Sequence, residues 1–338
     1  MYFALTDDQR EFDSAVRSYL AERFDLAAVR EVVEAPDGDG HPASLWKAAA
    51  EQGWLAVTVP EEHDGLGLGL VEAQVISRAL GAGVAPGPWR GSVLAAEAIR
   101  LAGSAEQQAA WLPRLASGDA VGAFTLRGSA PGTLRTVEYG AIADVVVARS
   151  GDGLALVTGA AATPQGSYDG TTRLASLDAG AGETLPGATA DVIDQLTARA
   201  TVLVAADLVG IAREAITRTV AYDRERQQFG VPVGSFQAIK HALADLHVAV
   251  TLAEHAALYA AHAVDVGLDG ADLAVAVAKA KASDVAFDAT AAMIQYHGGI
   301  GYTWEHEAHF FYKRAKRLAG QFGDGDAQRA RIAELTIG

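Results

Sequence analysis

Three long runs of helical periodicity fill most of the C-terminal half of the chain, and they constrain its fold more than any other feature. The runs cover Asp191–Arg224, Ser235–Gly267 and Ala271–Tyr296, with only short connections between them. Long helices joined by short loops favour antiparallel neighbours, as in a helical bundle. Two shorter helical patterns, at about 305–319 and 325–335, extend the predicted bundle.

The N-terminal part is also predicted to be helical, with shorter helices. Thr6 with Gln9, and Ser104 with Gln107, are typical of capping boxes at helix starts. The helix that begins at Leu70 is expected to stop at Gly81. Periodicity predicts helices over about 6–24, 42–52, 70–80, 91–102 and 104–115. The first 118 residues are therefore expected to be all-helical.

A β region of roughly 65 residues separates the two helical parts. Short apolar segments alternate there with turns rich in Gly, Ser, Asp and Thr. The segments are Ala120–Leu126, Asp144–Arg149, Leu154–Thr158 and Arg173–Leu177. The expected fold is mostly α with a small central β domain, divided into residues 1–118, 119–187 and 188–338.

Charge and composition exclude several classes of protein. The chain has 338 residues, with 42 acidic and 27 basic side chains, and its net charge of −15 argues against general affinity for DNA or RNA. Without cysteine it has no disulfide, zinc–thiolate site, iron–sulfur cluster or thiol nucleophile. No apolar run reaches the roughly 18 residues of a membrane-spanning helix, and the N-terminal segment lacks an apolar signal core. We therefore expect a soluble cytoplasmic protein with no nucleic-acid or membrane partner.

The histidines do not form a metal-binding pattern. His306 and His309 are three residues apart, without the HExxH arrangement of a zinc site. Glu305 and Glu307 flank His306 and are typical of carboxylates favoured by the dipole at a helix start. We therefore expect no metal site.

One polar segment of the predicted bundle has the composition of a phosphate cradle. Its sequence, DRERQQFGVPVGSFQ, covers Asp223–Gln237 and precedes a new helix. Arg226 offers a guanidinium fork, Gln228 an amide donor and Phe229 an aromatic edge. An ordinary helix–loop–helix with exposed arginines is the alternative.

A second segment, QYHGGIGYTWEH at Gln295–His306, joins two predicted helices. Gly298, Gly299 and Gly301 allow the backbone to approach a ligand or a neighbouring chain closely. A glycine-rich turn without a ligand is the alternative. The segment lacks the strand–turn–helix context of a dinucleotide-binding fingerprint.

Several segments, taken together and in order, resemble the acyl-CoA dehydrogenase family. They are Leu5–Phe12, Gly53–Gly69, Gly103–Leu126, Arg226–Gln237 and Gln295–Glu305. The resemblance implies an N-terminal helical domain, a β-barrel-like middle domain and a C-terminal four-helix bundle. It also implies FAD and an acyl-CoA thioester substrate, with a carboxylate removing the α proton while hydride passes to the flavin. In dimers or tetramers of this family, the bundle of one chain touches the FAD of its neighbour.

The resemblance assigns candidate FAD contacts on the pyrophosphate and adenosine side of the cofactor. In the first segment these are Arg226, Gln228, Phe229 and Gln237, and in the second they are Gln295, Gly298 and Gly299. A guanidinium against a pyrophosphate is a chemically favourable bidentate pair.

The departures from the family pattern concern the catalytic base and the flavin ring. The two positions where the family has its glutamate base match Phe322 and Ala200, neither of which can accept a proton. Asp207 and Asp324 are the weak alternative candidates, although an inter-helix hydrogen bond is the favoured interpretation of Asp207. The β domain is short, has no match to the Trp-Ile-Thr segment that contacts the flavin ring, and carries Arg127–Thr133 where an acidic Glu-Pro-Gly turn is usual.

The leading hypothesis is therefore a subunit of an FAD-dependent acyl-CoA dehydrogenase. It would pair with a larger relative that supplies the glutamate and the main flavin contacts. Short family members of bacterial steroid-side-chain or dicarboxylic acyl-CoA breakdown resemble this arrangement. Two alternatives stay open: a self-sufficient homo-oligomer with a displaced base, and a non-catalytic acyl-CoA-binding or scaffold homologue.

Overall fold

The computed structural model describes residues 4–338, and the mostly helical fold with a small β part is confirmed. The chain forms two compact units. The described part of the first comprises 4–30, Gln74–Ala85 and Thr201–Gly338, and the second comprises Glu31–Ala73 and Pro86–Ala200. The three-part division expected from the sequence stays a prediction.

The helices begin and end close to the predicted positions, except for the helix at Leu26–Glu34, which was not predicted from the sequence. They are α1 (Asp7–Arg23), α2 (Leu26–Glu34), α3 (Ala43–Glu51), α4 (Leu70–Ala82), α5 (Trp89–Ala102), α6 (Ala105–Ser117), α7 (Ala190–Glu225), α8 (Gln237–Asp265), α9 (Ala271–His297), α10 (Ala308–Ala319) and α11 (Gly325–Ile337). Short 3₁₀ turns cover Glu61–His63, Val233–Ser235 and Gly298–Tyr302. Both predicted capping boxes are present, at the starts of α1 and α6.

The β region of the second unit contains two small sheets. The strands in chain order are β1 (Gly122–Thr125), β2 (Gly132–Glu138), β3 (Val145–Ser150), β4 (Gly153–Val157), β5 (Ala161–Gln165), β6 (Leu174–Ala179) and β7 (Glu183–Thr184). One sheet has the order β1-β3-β4-β7, with β1 and β3 parallel, and the other has the order β2-β6-β5. A two-stranded hairpin, β8 (Gln227–Gln228) and β9 (Val231–Pro232), lies outside these sheets in the first unit.

The second unit is built around apolar side chains that α5 and α6 bury against the first sheet. Val145 and Val147 alternate inward from β3, and Leu154 and Leu156 alternate inward from β4. This spacing of two is expected when one face of a strand packs on a core. Ile99 of α5 belongs to the same cluster and is completely buried.

The first unit contains the helical bundle, in which α9 packs against α8, α10 and α11. Two glycines mark the crossing of α4 and α7. A Cβ atom at Gly81 would lie 2.2 Å from the Asp207 carbonyl oxygen, and one at Gly210 would lie 2.0 Å from the Arg78 carbonyl oxygen. The prediction that the helix stops at Gly81 is wrong, because this glycine allows two helix backbones to touch and α4 continues to Ala82.

Candidate functional site

Arg226 connects the two polar segments that the sequence singled out. It follows α7, and its Nη1 donates to the hydroxyl of Tyr222, 2.7 Å away, and to the backbone carbonyl of His297 at the end of α9. A Cβ atom on the next residue, Gly298, would lie 3.0 Å from Nη1. A glycine at this position therefore lets the guanidinium lie against the backbone of the second segment.

Three aromatic rings pack against one another at the contact between Arg226 and the His297 carbonyl. The rings of Tyr222 and His297 stack with centroids 4.3 Å apart, and the ring of His306 lies 4.4 Å from that of His297. His297 is buried, and its Nδ1 lies 2.7 Å from the Met293 carbonyl oxygen, so we assign the ring proton to Nδ1. Burial lowers the pKa of both histidines, which favours their neutral forms.

The hairpin β8–β9, which follows Arg226 in the chain, presents an exposed phenyl ring. Phe229 and Gly230 form its two-residue turn with φ values of +55° and +80°, the signs of a type I′ turn. The Phe229 side chain is 92% exposed, and its ring meets that of Phe236 edge-on at 6.3 Å. A phenylalanine in the left-handed region is unfavourable and large apolar side chains are rarely this exposed, so the ring is available to a ligand or a neighbouring chain.

The remaining candidate FAD contacts in the bundle are also accessible. Gln228, Gln237, Gln295 and Gly299 are exposed, and a Cβ atom on Gly299 would meet nothing within 4 Å. The set thus offers a cation, amide donors, an aromatic ring and open glycine backbone. Such groups fit the diphosphate and adenine of a dinucleotide such as FAD.

Asp223, three residues before Arg226, is a site residue that the sequence did not single out. Its side chain is 1% exposed, and neither carboxylate oxygen has a hydrogen-bond donor among residues 4–338. Burial raises the pKa of this carboxyl to about 6, and the nearby Arg226 guanidinium opposes the increase. An aspartate in an otherwise polar helix end carries no sequence signal for burial.

The two positions that match the family's glutamate carry apolar side chains, Ala200 and Phe322. Ala200 is completely buried within α7. Phe322 has φ +52°, and its carbonyl oxygen accepts a hydrogen bond of 2.7 Å from the Gln328 side chain. The next carbonyl, that of Gly323, accepts from the buried ammonium of Lys279 at 2.9 Å. Sequence reasoning missed Lys279, for which the only signal was a lysine within an alanine-rich helix.

Both weak candidates for a displaced base are already engaged. Asp207 is 2% exposed and receives two hydrogen bonds from the Arg314 guanidinium. Asp324 is the N-cap of α11, and its Oδ1 accepts from the Ala327 amide at 2.9 Å.

Two further observations concern the described residues as a whole. Within 4–338, no group of three or more His, Cys, Asp or Glu side chains is arranged to hold a metal ion. None of the helices in that range is both long enough and apolar enough to cross a membrane.

Comparison with known proteins identifies the family. Residues 6–119 match the family model described as "Acyl-CoA dehydrogenase, N-terminal domain", and residues 191–336 match "Acyl-CoA dehydrogenase, C-terminal domain". The chain therefore belongs to the acyl-CoA dehydrogenase family, whose members are oxidoreductases acting on acyl-CoA. The resemblance stated from the sequence is confirmed, and FAD is the cofactor that membership implies.

The similar proteins cover nearly the whole chain. Acyl-CoA dehydrogenase IpdE2 of Mycobacterium tuberculosis is 36% identical over 313 residues, which is 91% of each chain. A chain of the ChsE4–ChsE5 complex of the same organism superimposes with a TM-score of 0.89 at 27% identity, covering 99% of this chain and 98% of that one. A chain of the Tcur3481–Tcur3483 steroid ACAD G363A variant superimposes with a TM-score of 0.88 at 25% identity, covering 98% of this chain and 98% of that one.

Proposed function

We propose that this chain is one subunit of a hetero-oligomeric acyl-CoA dehydrogenase. Its bundle completes the FAD site of a larger partner, and the partner supplies the catalytic base. The observation that carries the proposal is a contrast within the first unit. The exposed groups of the two segments that Arg226 joins fit a cofactor, while Phe322 stands at a position that matches the family's base.

The assemblies of two structural neighbours support a hetero-oligomer. The ChsE4–ChsE5 complex and the Tcur3481–Tcur3483 steroid ACAD each contain two different proteins. This chain follows both folds over almost its full length. We propose an acyl-CoA of lipid or steroid breakdown as the substrate class, and a cytoplasmic location stays a prediction.

The residues of this chain have binding roles in the proposal. Arg226 pairs with the diphosphate of the partner's cofactor, while Gln228 and Gln295 donate amide hydrogen bonds to its polar edge. Phe229 covers an aromatic ring of the cofactor and excludes water from that ring. FAD, when bound, supplies the hydride acceptor of the dehydrogenation.

The test compares the chain alone with the chain co-expressed with each larger acyl-CoA dehydrogenase encoded beside it. Native mass spectrometry gives the subunit composition, and the visible spectrum gives the FAD content. We expect a colourless chain alone and a yellow mixed complex holding fewer than one FAD per chain. A yellow homo-oligomer with one FAD per chain would overturn the proposal in favour of a self-sufficient enzyme, and no FAD in any mixture would favour a scaffold.

A pair of variants tests the role of Arg226 in the mixed complex. Arg226→Gln should lower FAD affinity at least tenfold without preventing assembly, since one charge-assisted pairing contributes about 1.5–3 kcal/mol. Arg224→Gln is the matched control, because Arg224 is an exposed neighbouring cation. Equal FAD affinity of the two variants would contradict the assigned contact.

A further inference from the structure

The carboxyl of Asp223 lies in unfavourable surroundings for a negative charge. It belongs to the last turn of α7, where the helix dipole disfavours anions. The loop after the hairpin covers it, since a Cβ atom at Gly234 would lie 3.0 Å from the Asp223 carbonyl oxygen and 3.4 Å from its Cβ atom. Both carboxylate oxygens are buried without a donor among the residues that the structure describes.

Arg226 is the cation whose field stabilises the ionised form of Asp223. The two side chains form no direct hydrogen bond, since neither carboxylate oxygen of Asp223 has a donor, and Nη1 of Arg226 donates to Tyr222 and to the His297 carbonyl. The ionised carboxylate therefore depends on a positive charge that is also directed towards the candidate diphosphate site. An anion bound there would oppose that stabilisation.

Other titratable groups lie around Arg226 and its partner His297, including Glu307, whose charge acts on His297. Tyr222 lies on α7, His297 lies on α9, and His306 lies beyond the glycine turn against His297. The covering turn Val233–Ser235 carries no ionisable side chain. Arg224 and Glu225 are exposed to solvent.

We propose that Asp223 is a positioning residue that couples a proton to anion binding at Arg226, so that the site takes up one proton as the cofactor diphosphate enters. This inference rests on the proposed function, because it takes the diphosphate to be the anion that meets Arg226. A protonated Asp223 leaves the full charge of Arg226 to the diphosphate. An ionised Asp223 competes for that charge.

The direction of the pH dependence follows from linkage. Burial raises the pKa of Asp223 to about 6 in the free chain, and an anion at Arg226 raises it further. Binding therefore takes up a proton between the two pKa values and weakens as pH rises through them. Each unit of additional shift corresponds to about a tenfold change in affinity.

The experiment titrates FAD into the deflavinated mixed complex between pH 5.5 and 8, and measures proton uptake by calorimetry in two buffers of different ionisation enthalpy. We expect affinity to fall about tenfold across this range with net proton uptake near pH 6.5. The FAD affinity of Asp223→Asn should change less than twofold across this pH range, and its binding should take up no proton near pH 6.5. Asp269→Asn, which removes an exposed carboxyl after α8, should behave like the wild type.

A second measurement needs no partner. On the chain alone, the melting temperature of Asp223→Asn should rise relative to the wild type as pH increases from 5 to 7, because only the wild type has to ionise a buried carboxyl. A constant difference would overturn the inference. FAD binding that depends on Arg226 but has the same pH profile in Asp223→Asn would also overturn it, while leaving the proposed function intact. Absence of any Arg226-dependent FAD binding would overturn both.

Discussion

Asp207 of α7 and Arg314 of α10 form a buried bidentate pair within the bundle. Nε and Nη2 of Arg314 donate to the two carboxylate oxygens at 3.1 and 2.7 Å, and Nη1 donates to the Ala85 carbonyl oxygen at 2.9 Å. Both side chains are almost fully buried. A buried guanidinium depends on its partner, because neither charge is solvated once the other is removed.

Removing the carboxylate should therefore be strongly destabilising. We expect Asp207→Ala to lower the free energy of unfolding by about 3–5 kcal/mol, the range for breaking a buried ion pair. Urea denaturation of the chain measures this loss in the free energy of unfolding. Glu334→Ala is the control, since Glu334 pairs with Arg331 on an exposed helix face and should change stability by less than about 1 kcal/mol. Similar losses in the two variants would contradict the structural role of the buried pair.

The crossing of α4 and α7 gives a prediction about backbone contact. In Gly210→Ala the new methyl group would lie 2.0 Å from the Arg78 carbonyl oxygen, so the two helices must separate. We expect a loss of about 3 kcal/mol in the free energy of unfolding, at the upper end of ordinary overpacking. In Gly180→Ala the methyl group meets nothing within 4 Å, so a comparable loss there would show that the crossing is not responsible.

Arg173 of the second unit gives a prediction about guanidinium geometry. Its Nε, Nη1 and Nη2 atoms donate five hydrogen bonds, at 2.7 to 3.2 Å, to five backbone carbonyls. Lysine keeps the charge but cannot reproduce this planar fork. Arg173→Lys should lower the free energy of unfolding by about 2–3 kcal/mol, as expected when several hydrogen bonds from a charged donor are lost.

Thermal and urea unfolding measure the effect of Arg173→Lys. Arg135→Lys on β2 is the matched control, because Arg135 is exposed and its replacement should change stability by less than about 0.5 kcal/mol. Equal stability of the two lysine variants would mean that the five hydrogen bonds add nothing beyond charge.

The helical part of the fold could be predicted from the sequence because burial there is periodic. The prediction for the longest helix, 191–224, differs from α7 by one residue at each end, and the capping residues located the starts of α1 and α6. The strands were harder. All five residues of β5 are exposed, so no alternation marks it, and the pairing of β2 with β6 shifts register between Leu134 and Val137.

The sequence predicted the site only through residue types whose chemistry suits a ligand. Arg226 and Phe229 stand out because their types suit a dinucleotide, and the resemblance gave them a context. The contact between Arg226 and the His297 carbonyl joins residues 71 positions apart, which no local pattern reveals. Asp223 and Lys279 matter because they are buried, and burial of a charged residue depends on tertiary packing.

Lys279 gives the last prediction, which concerns pH. Its ammonium is fully buried on α9 and donates to the Ser283 hydroxyl at 3.0 Å and to the Ala319 and Gly323 carbonyls at 2.9 Å each. Burial lowers the pKa of Lys279 to about 8, while Asp324 and Asp284 oppose the decrease. The unfolded chain therefore binds more protons between about pH 8 and 10, and stability contributed by this group rises with pH across that window.

Lys279→Met removes both the titration and the three hydrogen bonds. We expect the difference in free energy of unfolding between wild type and variant to increase by about 2 kcal/mol from pH 8 to 10, since a difference of one bound proton contributes at most about 1.4 kcal/mol per pH unit. Hydrogen exchange of the segment around Phe322 should accelerate at neutral pH, because the carbonyls that hold it lose their donor. Ser283→Ala, which removes one acceptor and keeps the ammonium, should retain the pH dependence; loss of it there, or a pH-independent difference for Lys279→Met, would contradict this role.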